Sequence, residues 1–179
     1  MARRYPALPR VWLVSDSRND GSLEAALKRL PRGSGFIFRH YHLGPEQRQA
    51  RFLQLAKLAR AHDHLVIVAG APALARRWGA DGAYGTARLI TAGPNLLRLV
   101  TAHTLGDLRT GRADAVLLSP VFATRSHPGA RTLGPLRFRL LAARSQVPVI
   151  ALGGMTARNS ERLAGHAWAA IDGLTLKDS

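Results

Sequence analysis

The sequence predicts a single α/β domain, residues 1–179, of the closed (β/α)8 TIM-barrel class with a shortened final helix. Three observations carry this. Apolar runs alternate with helical stretches along the whole chain. The runs are mostly continuous, as in parallel strands buried on both faces. Eight such steps occur, the number that closes a barrel, in a chain shorter than the typical ~250 residues. An open doubly wound sheet is the nearest rival. Its G-x-G-x-x-G fingerprint is absent after the first strand, where the chain reads Ser15-Asp16-Ser17-Arg18-Asn19-Asp20-Gly21.

The elements follow in order. Val11–Ser15 reads as strand one, and Ser22–Leu30 as a helix with Ser22 at its cap. Gly35–Arg39 is strand two. Pro45–Ala61 is a long helix with Pro45 in its first turn, and its apolar positions Phe52, Leu55, Ala56 and Ala59 recur at helical spacing. Leu65–Ala69 is strand three, followed by a helix over Pro72–Trp78. Asp81–Tyr84 is a short fourth strand. Leu97–His103 is the fifth and Leu105–Thr110 a short helix. Ala115–Ser119 is the sixth, and a Gly/Pro/Arg-rich loop, Pro120–Pro135, leads to a helix over Leu136–Arg144. Val147–Leu152 is the seventh strand; it stops at Gly153-Gly154 and feeds a helix around Thr156–Ala164. Ala167–Ile171 is the eighth.

Composition narrows the function. The chain is 46% hydrophobic, which argues against disorder. No apolar run reaches the roughly 18–20 residues a membrane span needs. No apolar segment follows Arg3-Arg4, so no secretory signal is expected. The absence of Cys excludes disulfides and thiolate chemistry. A cytoplasmic enzyme is the expectation. The net charge of +15 invites a nucleic-acid reading. The basic residues are spread over nearly every helix, however, with no zinc-finger spacing, aromatic run or polybasic tail. Small anionic substrates need no further assumption. Nucleic-acid binding is therefore disfavoured, no membrane partner is expected, and homo-oligomer formation is left open.

In a barrel the site lies at the C-terminal ends of the strands. Those ends carry Asp16, Arg39 to His42, Ala69-Gly70, Tyr84-Gly85, Thr101 to His103, Ser119 with the following loop, Gly153-Gly154 and Asp172. Cations, hydroxyls and glycines dominate, which suits phosphate esters. A Gly-Gly turn lets backbone N–H groups approach an anion. Asp81 and Asp114 lie at strand starts and belong to the opposite face. His40 and His42 alternate with Arg39 and Tyr41 and should point toward the helices as packing residues. His62 and His64 read as capping or solvated groups. Asp16 and Asp172 fall on neighbouring strands, as a pair bridged by Arg or, alternatively, a replacement metal pair.

The order of motifs resembles the thiamine phosphate synthase/TenI family over nearly the whole chain. The matching segments are WLVSD (Trp12–Asp16), FR (Phe38-Arg39), GADG (Gly79–Gly82), VTAH (Val100–His103), ADAVLLSPVFATRSH (Ala113–His127) and VPVIALGGMTARN (Val147–Asn159). The resemblance implies a TIM barrel that binds phosphorylated thiamine precursors. The synthase joins a hydroxymethylpyrimidine diphosphate to a thiazole phosphate and releases pyrophosphate with Mg2+. TenI-type members include a thiazole tautomerase. A non-catalytic phosphometabolite-binding barrel is the third alternative.

Carried over residue by residue, the resemblance assigns substrate and phosphate binding to Arg39, Thr101, Thr124, Arg125, Ser126, Gly153 and Gly154. Catalytic roles fall to His103 and His127. The departures cluster. The family's Gln-x-Arg-x-Lys on strand two is Ile37-x-Arg39-x-Tyr41 here. Its Asn-Asp after strand three is Ala69-Gly70, and its His-Leu-Gly-Gln after strand four, with an Asp nearby, is Tyr84-Gly85-Thr86-Ala87. The resemblance thus implies Mg2+ while both of its carboxylate ligands are absent, so no metal-ligating residues are assigned. The Lys of the Thr-x-Thr-Lys loop is His127, and the Ser near the phosphate on the last strand gives way to Asp172-Gly173. The tautomerase His before Val-Phe on strand six is Pro120, which would leave that role to His103 or His127.

Overall fold

The computed structural model describes residues 8–90, 92–104, 106–126 and 128–175, less the structure of 109–111. Eight parallel strands close into a barrel in chain order, β1 pairing with both β2 and β8. The strands are β1 (Val11–Val14), β2 (Gly35–Phe38), β3 (Leu65–Ala69), β4 (Gly82–Gly85), β5 (Leu97–Ala102), β6 (Ala115–Leu118), β7 (Val149–Ala151) and β8 (Ala167–Ala170). The helices are α1 (Leu23–Arg29), α2 (Pro45–Ala61), α3 (Pro72–Trp78), α4 (Ala87–Ile90), α5 (Gly134–Ala142) and α6 (Ala157–Ser160). Closure removes both sheet edges and excludes the open-sheet alternative.

The strands are continuous apolar runs because each face of the sheet has its own core. Inside the barrel sit Trp12, Val14, Ile37, Ile67, Tyr84, Leu99, Leu117 and Ile150. Outside, under the helices, sit the intervening Leu13, Phe36, Phe38, Val66, Val68, Val116 and Leu118. Period-two alternation therefore survives in the structure but is hidden in the sequence, since both sets are apolar. Gly35 shows how tightly the interior fills. A Cβ there would lie 2.0 Å from Cε3 of Trp12, which crosses the barrel beside it. The indole Nε1–H donates to Pro9 O at 2.7 Å.

Helix α2 has its predicted limits, and Phe52, Leu55, Ala56 and Ala59 are its buried positions. Other limits moved. The first helix begins one residue later, after a 3-10 turn at Ser17–Ser22. Ser22 makes no side-chain cap; its hydroxyl donates to Asn19 O. The predicted helix at Leu105–Thr110 is a 3-10 turn over Gly106–Leu108 among the described residues. Helix α4 was not anticipated. Helix α6 is a single turn capped by Thr156, whose side chain accepts from Asn159 N, and continues as a 3-10 turn. β8 is followed by a 3-10 turn at Asp172–Leu174.

Asp81 and Asp114 sit at the N-terminal ends of their strands. Each carboxylate accepts an N–H from the second residue of a neighbouring strand, Val66 of β3 and Arg98 of β5 respectively, at 2.8 and 2.7 Å. His64 corrects the sequence reading. It is buried and pairs through Nε2 with Leu27 O at 2.8 Å, tying α1 to the start of β3. Among the described residues no helix is long and apolar enough to cross a membrane.

Candidate functional site

A cavity of about 470 Å3 opens at the C-terminal ends of the strands. Arg39, Thr101, His103, Thr124, Arg125, Ser126, Gly153 and Gly154 all line it. They come from the ends of β2, β5, β6 and β7, brought together because the barrel closes. His127 lies outside the described residues. Sequence reasoning placed Tyr41 and Tyr84 at the strand ends without a role and missed Arg18, Leu89 and Met155; all five also line the cavity.

The β6–β7 side is built from backbone. Gly153 and Gly154 have φ of +95° and +61°, in the left-handed region where a side chain is strained. A Cβ on Gly154 would lie 2.1 Å from Ala123 O, and one on Gly153 2.8 Å from Pro120 Cα. The carbonyls of this turn are engaged: Val121 N donates to Leu152 O, Phe122 N to Gly153 O, and Asn159 Nδ2 to Gly154 O. The turn is thereby sewn to the β6 loop that carries Thr124, Arg125 and Ser126. In that loop Ser126 N donates to Thr124 Oγ1 at 3.3 Å.

His103, after β5, donates from Nδ1 to Ser119 O at 2.9 Å. A carbonyl only accepts, so Nδ1 carries the hydrogen and Nε2 is the acceptor of the neutral ring. Its backbone N–H is held by Asp107, whose carboxyl that bond holds below its ordinary pKa.

On the β2 side, the peptide of Arg39 is fixed at both ends. Its N–H donates to Ser15 Oγ at 2.8 Å, and its carbonyl accepts from Arg48 Nε at 2.9 Å. Ser15 is fully buried and pairs with His40 Nδ1 at 2.8 Å, while His40 Nε2 meets Asp20 Oδ1 at 2.8 Å. The carboxylate requires Nε2–H, so Ser15 O–H donates to Nδ1. Burial pulls the His40 pKa down, against the opposing pull of the Asp20 hydrogen bond. His40 stacks on Phe38 at 4.6 Å, as a helix-facing packing residue should, but also serves this relay.

Beyond Arg39 this side is aromatic. Tyr84 is buried inside the barrel mouth, which pushes its phenol pKa up, against a hydrogen bond with Thr101. Arg48 lies 5.3 Å from the rings of both Tyr41 and Trp78 and donates to Ala69 O at 2.7 Å. The end of β3 is thus closed by a guanidinium.

Asp16 and Asp172 do come together across the β1–β8 seam, bridged by arginine. Arg18 Nε lies 3.3 Å from Asp16 Oδ1 and 3.9 Å from Asp172 Oδ1, and Arg39 approaches Asp16 at 4.0 Å. A divalent cation does not fit this donor set. Hard cations need several oxygen ligands, and the ends of β3 and β4 offer Ala69-Gly70 and Tyr84-Gly85. Asp172, the carboxylate in the cavity wall, is already ion-paired. Among the described residues no group of three or more His, Asp or Glu could hold a metal. The Mg2+ implied by the resemblance therefore finds no fitting ligand set among the described residues.

Comparison with known proteins gives the family. The thiamine monophosphate synthase family profile matches residues 11–173. A protein of Aquifex aeolicus (strain VF5) named "Putative thiamine-phosphate synthase 2" is 26% identical over 161 residues, covering 83% of this chain and 87% of that protein. The solved thiamine phosphate pyrophosphorylase from Pyrococcus furiosus superposes with a TM-score of 0.76 at 22% identity, covering 92% of this chain and 85% of the other. The YdjI aldolase from Escherichia coli K12 reaches 0.60 at 10% identity, covering 92% and 75%. The barrel alone is thus shared with unrelated chemistry. The chain belongs to the thiamine monophosphate synthase family.

Proposed function

We propose that this family member acts as a thiamine phosphate synthase-type transferase on phosphorylated thiamine precursors. In that reaction a thiazole nitrogen forms a C–N bond to the methylene carbon of a pyrimidine diphosphate. The C–O bond breaks, and its electron pair leaves with pyrophosphate. One observation carries the reading: a single cavity collects a sewn Gly-Gly turn, hydroxyls and guanidinium groups at the ends of different strands. The N–H groups of Gly153 and Gly154, with Thr124 and Ser126, are suited to hold the thiazole phosphate. Arg39 and Arg125 are suited to meet the leaving diphosphate, since guanidinium forks pair with phosphate oxygens. Incubating the full chain with both precursors and following thiamine phosphate tests this. Product and pyrophosphate in equal amounts are expected. Thiazole phosphate binding with neither product would reject the transfer and leave a phosphometabolite-binding barrel.

A second reading, TenI-like proton transfer, is favoured by His103. Its Nδ1–H is committed to Ser119 O, so Nε2 has the lone pair a general base needs. Deuterium exchange into a thiazole phosphate carboxylate in D2O, lost by about 10²-fold or more in His103→Gln, would support it. Exchange indifferent to that substitution would remove it.

A further inference from the structure

We propose that Arg18 supplies the fixed cation of this mouth, making it a guanidinium-built site that takes a diphosphate without a divalent metal. The inference rests on the phosphate-ester reading of the cavity. Arg18 lies in the 3-10 turn after β1, and three strand ends converge on it. Its Nε faces Asp16 at the end of β1 and Asp172 at the end of β8. Its Nη2 donates to Ser126 Oγ at 2.9 Å, on the β6 loop. The guanidinium also lines the cavity, where its companions are Arg39 and Arg125.

This placement answers two difficulties at once. Two carboxylates at neighbouring strand ends would repel an incoming phosphate. Arg18 sits against both, so the anion meets a screened pair. Two carboxylates would also attract a divalent cation, but the guanidinium already occupies their shared approach. Of its five N–H donors, one on Nη2 is spent on Ser126, while Nε faces the two carboxylates. The others suit the bidentate pairing that diphosphate oxygens offer. The bond to Ser126 links the cation to the loop of Thr124 and Arg125. The positive charge and the oxygen-binding loop therefore move as one unit. Ala69-Gly70 and Tyr84-Gly85 then need no carboxylates, because the cationic work has moved around the barrel mouth from β3 and β4 to the turn after β1.

The experiment is calorimetric titration of the full chain with inorganic pyrophosphate, in EDTA and in Mg2+, with thiazole phosphate titrated in parallel. Affinity for pyrophosphate should agree within about two-fold between EDTA and Mg2+. Arg18→Gln should weaken it by about ten-fold or more, and Arg18→Lys, which keeps the charge and loses the fork, by several-fold. Thermal melting of both variants separates this loss from unfolding. Arg18→Lys keeps the test open if Arg18→Gln does not fold. Pyrophosphate binding that disappears in EDTA, or that ignores both substitutions, would overturn the inference. If thiazole phosphate still binds in that case, the proposed function stands and only the role of Arg18 falls. If neither ligand binds with or without Mg2+, both readings fall.

Discussion

The two halves of the barrel mouth are built by different means. The β6–β7 half is backbone: two glycines in the left-handed region, carbonyls tied to the β6 loop, and hydroxyls beside them. The β2–β4 half is side chain: Arg39 held by a buried relay, Tyr41 and Tyr84 as an aromatic wall, and Arg48 closing the end of β3. The first half keeps the resemblance at Thr124, Ser126, Gly153 and Gly154, and departs from it at Pro120 and His127. The second has lost its carboxylates and amides. A backbone cradle tolerates little change, because any Cβ collides; a side-chain wall can be rebuilt from whichever helix lies within reach.

The sharpest way to break the comparison is at Gly154. A Gly154→Asp substitution must force φ of +61° on a side chain, push against Ala123 O, and place a carboxylate at the cradle. Thiazole phosphate affinity should fall by more than about 100-fold, the size expected when buried charge repulsion adds to lost hydrogen bonds. Calorimetry measures it, and near-unchanged affinity would show that the cradle is not the phosphate site. On the opposite half, Arg39→Ala should lower turnover or pyrophosphate affinity by about 10–100-fold, the range of a lost charge-assisted bond. Arg125→Ala, at an exposed position, should cost several-fold.

How legible each half was in the sequence follows from the same contrast. The limits of α2, β3 and α3 agree with the pattern of apolar residues and prolines because local preference and burial coincide there. Gly153-Gly154 was legible because few residue types satisfy a left-handed turn. Arg18, Arg48 and the His40 relay were not. Their partners lie far off in sequence: Arg18 meets Asp172, Arg48 meets Ala69 O, and His40 meets Ser15. Helical spacing places Arg48 four residues before Phe52, on the inward face of α2, but does not give its partners. The helix-facing direction of His40 was legible from strand alternation; its hydrogen bonds to Ser15 and Asp20 needed the fold.

A finer test addresses that relay. His40→Phe keeps the stack on Phe38 and removes both hydrogen bonds. Anion affinity should fall a few-fold through Arg39, and the loss should vanish in an Arg39→Ala background. A double-mutant cycle checks this; simple additivity would mean that His40 acts on the fold alone. The smallest effect is on stability. Burial lowers the pKa of His40, His64 and His166, so the folded state binds fewer protons than the unfolded chain below about pH 6.5. Stability therefore falls as pH drops from 7 toward 5. Tm against pH should show that slope, and it should be shallower in His40→Phe. An equal slope in the variant would remove His40 from the account.

The central claim is that the β6–β7 half of the mouth holds the phosphate. A crystal structure of this chain with thiazole phosphate tests it most directly. Phosphate oxygens within hydrogen-bonding distance of the Gly153 and Gly154 N–H groups, with Ser126 or Thr124 beside them, are the predicted result. Phosphate density against Arg39 and Tyr84 instead, with the Gly153-Gly154 turn untouched, would contradict it.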